Sequence, residues 1–274
     1  MTGTLYVCAT PIGNLSDVSD RLRQTLEAVD LVAAEDTRHT GKLLQHLGIT
    51  KPCISYFTHN RRGHGEMIVR ELLSGKNVAL VSDAGTPAIS DPGEELVQLC
   101  AAAGVPTVPI PGPCAAISAL SVSGLITGRF VFEGFLSTQK KGRMDRLEAL
   151  KTEERTIIFY EAPHKLVRTL EDFAVAFGPA RKITLCREMT KIFEEIIRTT
   201  VGEALERFTA QPPKGEFVLV VEGAPEIRES WEDLSIEAHV NMYEQTGLPR
   251  MDAIKRVAAD RGVPKREIYD AVMR

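Results

Sequence analysis

The sequence of 274 residues lacks a long apolar run, and its longest apolar stretches fall well short of the roughly 20 residues that a membrane-spanning helix needs. Its first residues enter a strand-like segment at once, without a basic region followed by an apolar stretch, so we expect no signal peptide. The net charge of −4 gives no global excess of basic residues. Any contact with nucleic acid must therefore come from a local basic patch.

Cysteine is scarce and scattered, which argues against a disulfide framework and against a zinc site. No Cys-x-x-Cys pair occurs among the five cysteines, which are Cys8, Cys53, Cys100, Cys114 and Cys186. His59 and His64 have no third ligand at a useful spacing, so we expect no metal. Reduced thiols in mostly apolar surroundings indicate a cytoplasmic protein. Because the apolar runs are short, we expect no membrane partner.

The usual nucleotide-phosphate motifs are also missing. There is no Gly-x-x-x-x-Gly-Lys-[Ser/Thr] loop and no Gly-x-Gly-x-x-Gly after the first strand. The loop that ends a later strand instead combines small residues with Asp83 and has few basic side chains. That composition suits a neutral or cationic adenosine-type ligand better than a triphosphate, and a sulfonium cofactor would fit it.

The most informative segment that is present runs from Val81 to Gly93. It follows an apolar, strand-like run and precedes a helix-like run, and it is longer than the roughly 2–6 residues that such a turn needs. Ligands of open α/β folds bind where strands end in this way. Two more strand ends, Val7–Asn14 and Val108–Ala116, are also rich in proline or glycine. Together the three predict one shared crevice.

Periodicity divides the chain into three parts. Residues 1–123 alternate strand-like and helix-like segments, which predicts an α/β domain with a mostly parallel sheet. Residues 124–224 contain strand-like runs too close together for intervening helices, which predicts a second α/β domain with a mixed sheet. Residues 225–274 form a linker and three short helices, two of which resemble a helix-turn-helix unit.

This C-terminal part is locally basic. From Leu248 onward, seven Lys or Arg residues face four acidic residues, a balance of +3. Such a balance is compatible with contact to nucleic acid and equally with a solvated helical module.

Five motifs, in order, resemble the tetrapyrrole-methylase superfamily: Thr10–Leu15, Ala34–Arg38, Ser82–Pro87, Pro111–Ala116 and Phe159–Glu161. Glu35 to Arg38 is similar to one branch, which methylates the ribose 2′-oxygen of a decoding-centre cytidine in 16S rRNA. The resemblance covers about residues 3–223 and extends to that branch's tail. It implies two α/β domains, S-adenosylmethionine as cofactor, a homodimer, and a 16S rRNA substrate within the 30S subunit.

The resemblance also implies where the cofactor binds, which is a cleft between the two α/β domains. Its expected contacts are Pro11, Ser82, Asp83, Gly85, Thr86, Ile89, Ala115, Ala116, Tyr160, Met189, Pro213, Lys214 and Gly215. Thr86 departs from the family pattern, because relatives carry an acidic residue there. Asp83 is the candidate to compensate.

Methyl transfer to a ribose hydroxyl benefits from a base within hydrogen-bond reach. Glu35 or Asp36 could take the proton, and Arg38 could hold a phosphate through two hydrogen bonds. Asp36 or Thr37 could equally cap the next helix. Glu161 and His164 form a second polar cluster, which could also be a plain strand-to-helix junction.

The candidate RNA contacts are the basic residues of short runs and of the C-terminal part. They are Arg38, His59, Arg61, Arg62, Lys140, Lys141, Arg143, Lys255, Lys265 and Arg266. Two alternatives remain open: a methylase of porphyrinoid or corrinoid small molecules, and a non-enzymatic nucleic-acid-binding protein. The basic C-terminal part argues against the first alternative, and the glycine- and proline-lined crevice argues against the second.

Overall fold

The computed structural model describes residues 1–56, 61–91, 93–225, 231 and 234–273, with Arg61 and Arg62 described by their backbone alone. The chain forms two compact units, Met1–Ala224 and Pro225–Arg274. None of the helices in the described ranges is long and apolar enough to cross a membrane.

A parallel five-stranded sheet forms the first half of the larger unit. Its strands are β1 (Leu5–Cys8), β2 (Leu31–Ala34), β3 (Cys53–Ser55), β4 (Val78–Val81) and β5 (Thr107–Ile110), in the order β3-β2-β4-β1-β5. The helices between them are α1 (Asp20–Ala28), α2 (Thr37–Leu47), α3 (Arg61–Leu73) and α4 (Gly93–Ala102), and α5 (Ala115–Val122) follows β5. The predicted parallel sheet is confirmed.

Helices cover both faces of this sheet, so its central strands are apolar throughout. All four residues of β4 are buried. Because successive side chains of a strand point to opposite faces, Ala79 and Val81 pack with α1 and α2, whereas Val78 and Leu80 pack with α3 and α4. The chain leaves β1 toward β2 and later returns through β4 beside β1. The carboxyl ends of β1 and β4 thus meet at a switch point, where α/β folds bind ligands.

The second half of the larger unit contains the predicted mixed sheet. Its strands are β6 (Phe130–Phe135), β7 (Thr156–Glu161), β8 (Lys182–Arg187), β9 (Glu195–Thr200) and β10 (Phe217–Val221), in the order β6-β7-β10-β8-β9. Only the β6–β7 pair of this sheet is parallel among the described residues. One face packs against α6 (Lys140–Leu150), α7 (Pro163–Ala176) and α8 (Val201–Ala210), and the other packs against α5.

The smaller unit consists of α9 (Ile236–Gln245), α10 (Arg250–Asp260) and α11 (Lys265–Val272). Its core contains Val240, Ile254, Val257 and Ile268, all fully buried. The three helices agree with the sequence prediction.

Each strand-like run of the sequence begins and ends within one residue of the ends of an observed strand. Three helices begin more than one residue earlier than the sequence predicts: α2, predicted from Thr40, α3, predicted from Gly65, and α6, predicted from Met144. Helix α3 begins at Arg61. Helix α2 begins at Thr37 rather than Thr40, because the Asp36 side chain accepts a hydrogen bond from the Arg38 amide and caps the helix. Helix α6 begins at Lys140 rather than Met144. The basic run at Lys140 is therefore helical, not a loop.

Candidate active site

A cavity of about 670 Å³ lies at the carboxyl ends of β1 and β4 and is closed by the second sheet. Its first wall comes from the loops after β1, β2, β4 and β5. Its second wall comes from the end of β7, the β8–β9 loop and the start of β10. The lining residues are Ile12, Glu35, Asp83–Thr86, Ile89–Asp91, Cys114, Ala115, Phe135, Tyr160–His164, Cys186, Met189, Lys191 and Glu216–Val218.

Hydrogen bonds join the three proline- and glycine-rich strand ends. Thr10 and Gly85 exchange backbone bonds of 2.9 and 3.1 Å, and the Thr86 hydroxyl donates to the Pro113 carbonyl at 3.2 Å. Gly85 adopts a φ of +83°, which favours glycine. Residues of all three loops line the cavity, so the predicted shared crevice is confirmed.

Strained backbone surrounds the cavity on both walls. Ala88 and Ser90 on one wall, and Glu188 and Thr190 on the other, have φ values between +50° and +67° without being glycine. Such conformations persist only when the surroundings hold them. Glu188 is held because its Oε1 accepts hydrogen bonds from the Glu216 amide at 2.9 Å and from Lys191 Nζ at 3.0 Å. The walls are thus preorganised.

Three carboxylates approach one another on the first wall: Glu35, Asp83 and Asp91. Burial raises the pKa of Glu35, and the charges of Asp91 and Asp83 raise it further, while a hydrogen bond from the Asp83 backbone opposes them. Burial likewise raises the pKa of Asp91. Asp83 has a structural contact, because its Oδ1 accepts a hydrogen bond from the Asp36 amide at 3.1 Å. This bond connects the end of β2 to the loop after β4.

Asp36 differs from its neighbour Glu35 in its hydrogen bonds and in the direction of its pKa shift. Its carboxylate accepts two hydrogen bonds from the Arg38 guanidinium, at 3.1 and 2.7 Å, besides capping α2. These side-chain bonds hold the pKa of Asp36 well below its usual range. The Arg38 side chain itself is 88% exposed. Asp36 is therefore a weak base, and of the two candidates Glu35 fits the role better.

On the second wall, Tyr160 is fixed by aromatic and polar contacts. Its ring packs edge-on against Phe132 at 5.2 Å, and its hydroxyl accepts the Ala116 amide at 3.2 Å. Burial raises the pKa of Tyr160 to about 12, so it stays neutral. Beyond it, Glu161 is buried at 5% exposure, whereas His164 is exposed.

Most of the predicted cofactor contacts line the cavity: Asp83, Gly85, Thr86, Ile89, Ala115, Tyr160 and Met189. Pro11 and Ser82 line a smaller cavity of about 120 Å³ that shares Asp83 with the large one. The Ala116 amide donates a hydrogen bond to the Tyr160 hydroxyl. Pro213, Lys214 and Gly215 directly precede the lining residues Glu216–Val218. Sequence reasoning missed Asp91, Lys191 and Glu216–Val218 as lining residues of the cavity. Glu216–Val218 could have been found, because they stand at the start of a strand that the sequence predicts.

The predicted RNA contacts differ widely in accessibility. Lys140, Lys141, Lys255, Lys265 and Arg266 are exposed. His59 lies outside the described residues. Arg61 and Arg62 begin α3, and only their backbone is described.

Arg143 corrects the prediction, because it is buried with only 4% exposure. Its guanidinium bonds Asp172 at 2.6 Å and the Ser137 and Thr138 carbonyls at 3.2 and 3.3 Å. Arg143 lies within α6 and faces Asp172 of α7, so it does not belong to an RNA surface.

Comparison with known proteins connects this architecture to a family. Residues 4–205 match the model for tetrapyrrole (corrin/porphyrin) methylases. The chain belongs to this methylase family. It is also 51% identical over 268 residues to the ribosomal RNA small subunit methyltransferase I of Synechocystis sp., covering 97% of this chain and 96% of that protein. The protein of the same name from Halalkalibacterium halodurans is 49% identical over 98% of this chain and 94% of its own length.

The fold has solved counterparts. A uroporphyrin-III C-methyltransferase from Thermus thermophilus, complexed with S-adenyl homocysteine, superimposes with a TM-score of 0.57 and 16% identity, covering 80% of this chain and 96% of that one. The match of two α/β domains confirms the fold predicted for the larger unit of this methylase.

Proposed function

We propose that this methylase transfers a methyl group from S-adenosylmethionine to the ribose 2′-oxygen of a decoding-centre cytidine in 16S rRNA, within the 30S subunit. The observation that carries this proposal is the sequence identity of 51% and 49%, over nearly the full length of the chain, to relatives named ribosomal RNA small subunit methyltransferase I. The preorganised cavity supports it. By the same resemblance, we propose that the protein acts as a cytoplasmic homodimer.

The cavity fits the methyl donor in size and charge. Its volume of about 670 Å³ lies within the range of roughly 300–1,000 Å³ that small-molecule sites occupy. Its lining contains five carboxylates against Lys191, which is already bound to Glu188 and Glu216. Such a lining suits a cation and repels a nucleoside phosphate.

The cavity walls would hold the donor from both sides. The loops around Gly85 and Ala115 offer backbone groups, and Tyr160 and Met189 offer apolar surface on the opposite wall. When bound, the donor supplies an electrophilic methyl group on a sulfonium. The protein's contribution is to hold the attacking oxygen in line with it, which is a proximity effect.

Glu35 is the proposed base for the ribose hydroxyl. Its carboxylate lines the cavity, and its raised pKa makes it a stronger proton acceptor than an ordinary glutamate. Asp36 then has the different role of positioning α2 and Arg38 through its hydrogen bonds. Arg38 remains the proposed phosphate contact beside the cavity, because its guanidinium is exposed and an RNA phosphate can replace Asp36 as its partner.

The test is transfer of tritium from labelled S-adenosylmethionine to 30S subunits that lack the modification, followed by nucleoside mapping. We expect label on the 2′-oxygen of one cytidine. Binding of the donor without any label in rRNA would refute the proposed substrate and favour a porphyrinoid acceptor instead. Label on a base rather than a ribose would keep the rRNA substrate and refute the 2′-oxygen.

A further inference from the structure

Glu161 stands apart from the other carboxylates of the cavity. It ends β7, beside Tyr160, and only 5% of its surface is exposed. Its Oε1 accepts the Ala162 amide at 2.8 Å, and its Oε2 accepts the Thr169 hydroxyl at 2.5 Å. Both donors are neutral. None of the ion pairs between residues that the structure describes includes Glu161.

A buried carboxylate without a cationic partner is costly, and proteins rarely keep one without a use. The half-buried Asp172 shows the ordinary solution, in which the guanidinium of the buried Arg143 neutralises the carboxylate. Glu161 has no such neighbour among the described residues and borders the cavity instead. Its side chain lies on the α7 face of the sheet, and each of its oxygens accepts one hydrogen bond there and keeps a lone pair that a positively charged ligand at the cavity edge could take.

We infer that Glu161 is the residue by which the cavity distinguishes the cationic methyl donor from its neutral product. This inference rests on the proposed use of S-adenosylmethionine. Loss of the methyl group converts the sulfonium into a thioether, so the ligand loses one positive charge at the reacting atom. A carboxylate in a water-poor wall attracts the charged ligand and not the neutral one, because charge interactions are strongest at low dielectric. Glu161 thereby favours donor binding and product release.

The cavity's other carboxylates are less suited to this task. Glu35, Asp83 and Asp91 lie close enough to influence one another's charge, so none of the three acts on a ligand alone. Glu216 is 81% exposed and bonds Lys191 at 2.8 Å. Water screens its charge, and Lys191 neutralises it.

The test compares the affinities of S-adenosylmethionine and S-adenosylhomocysteine by calorimetry for the full-length protein and for Glu161→Gln. The amide of glutamine preserves shape, and it can keep both contacts because the Thr169 hydroxyl accepts as well as donates. We expect the variant to bind S-adenosylmethionine about 10-fold more weakly and S-adenosylhomocysteine within about 2-fold of the wild type. An analogue with a protonated amine in place of the sulfonium should follow S-adenosylmethionine.

Glu216→Gln is the matched control, because it removes a cavity carboxylate that is exposed and already paired. Its ratio of the two affinities should equal the wild-type ratio. An equal loss of both ligands in Glu161→Gln would show a structural role and overturn the inference. A ratio of the two affinities that changes in Glu35→Gln and not in Glu161→Gln would also overturn the inference. If the wild-type protein binds neither ligand, the proposed cofactor itself fails, which is a different result from an unchanged ratio.

Discussion

The cavity and the last two helices of the C-terminal unit, α10 and α11, carry opposite charges. Five carboxylates and one lysine line the cavity, whereas the chain from Leu248 onward has a local balance of +3. The proposed reaction needs both, because its methyl donor is a cation and its RNA substrate is a polyanion. A net charge of −4 hides this division. The comparison teaches that ligand charge is read from local surfaces and not from the sum over the chain.

The largest expected effect concerns the acidic side of this comparison. Glu35→Gln should lower the methyl-transfer rate by about 10²- to 10⁴-fold, because the amide cannot accept the hydroxyl proton. Donor affinity should change little. Single-turnover transfer to 30S subunits and calorimetry with S-adenosylmethionine measure the two quantities.

The pH dependence of the same reaction gives a second readout of Glu35. A base acts in its ionised form, so the wild-type rate should fall as the pH drops through the raised pKa of Glu35. Glu35→Gln should lack this fall. Asp36→Asn serves as the control, because the lowered pKa of Asp36 keeps it ionised throughout that range. A wild-type pH profile that Glu35→Gln leaves unchanged would remove Glu35 from the mechanism.

The next effect separates a basic residue that supports the fold from one that faces solvent. Arg143→Met should destabilise the protein by about 3–5 kcal/mol, because it leaves the half-buried Asp172 carboxylate and the Ser137 and Thr138 carbonyls without their donor. Lys141→Met, two residues earlier on α6, should leave the free energy of unfolding within about 0.5 kcal/mol. Urea unfolding followed by circular dichroism measures both. Equal stabilities of the two variants would contradict the inward placement of Arg143.

Removing the chain from Ser235 onward tests the basic side as a whole. We expect RNA affinity to fall by about 10-fold or more, because several lysine and arginine side chains that would neutralise phosphates are removed together. Affinity for S-adenosylhomocysteine should persist, since the cavity lies entirely within Met1–Ala224. Filter binding with 30S subunits and calorimetry provide the two measurements. Undiminished rRNA methylation by the shortened protein would end the role proposed for this unit.

The smallest effect comes from single charges on α11. Replacing Lys265 and Arg266 by glutamine should weaken RNA binding a few-fold and reduce the salt slope by about 0.7 for each phosphate that is no longer neutralised. Both residues are exposed, so the fold should not change. Glu267→Gln on the same helix is the control and should not weaken binding. A salt slope equal to that of the wild type would place these two residues away from RNA.

The sequence predicted the strands better than the starts of the helices. Strands such as Val78–Val81 are short apolar runs between breakers, and their limits follow from composition alone. The starts of α2 and α6 depend on which residue caps or precedes the first turn, and propensity does not decide this. The error at α6 had a consequence for function, because it left Arg143 among the predicted RNA contacts.

The candidate site shows the same limit. Motif resemblance identified Gly85, Thr86, Ala115 and Tyr160, which line the cavity. It also gave Pro213–Gly215 as cofactor contacts, and the residues that line the cavity, Glu216–Val218, follow directly after them.

Sequence alone therefore determined the division into α/β sheets and helices, the family, and the loops that end at the cavity. These follow from local composition and residue order. Only the tertiary structure decided which charges meet. Glu35, Asp91, Glu161 and Glu216 come from distant segments, and the fold decides which partners each of them meets. Burial raises the pKa of Glu35 and of Asp91. Electrostatic interactions act through space, and the linear order of residues does not contain those distances.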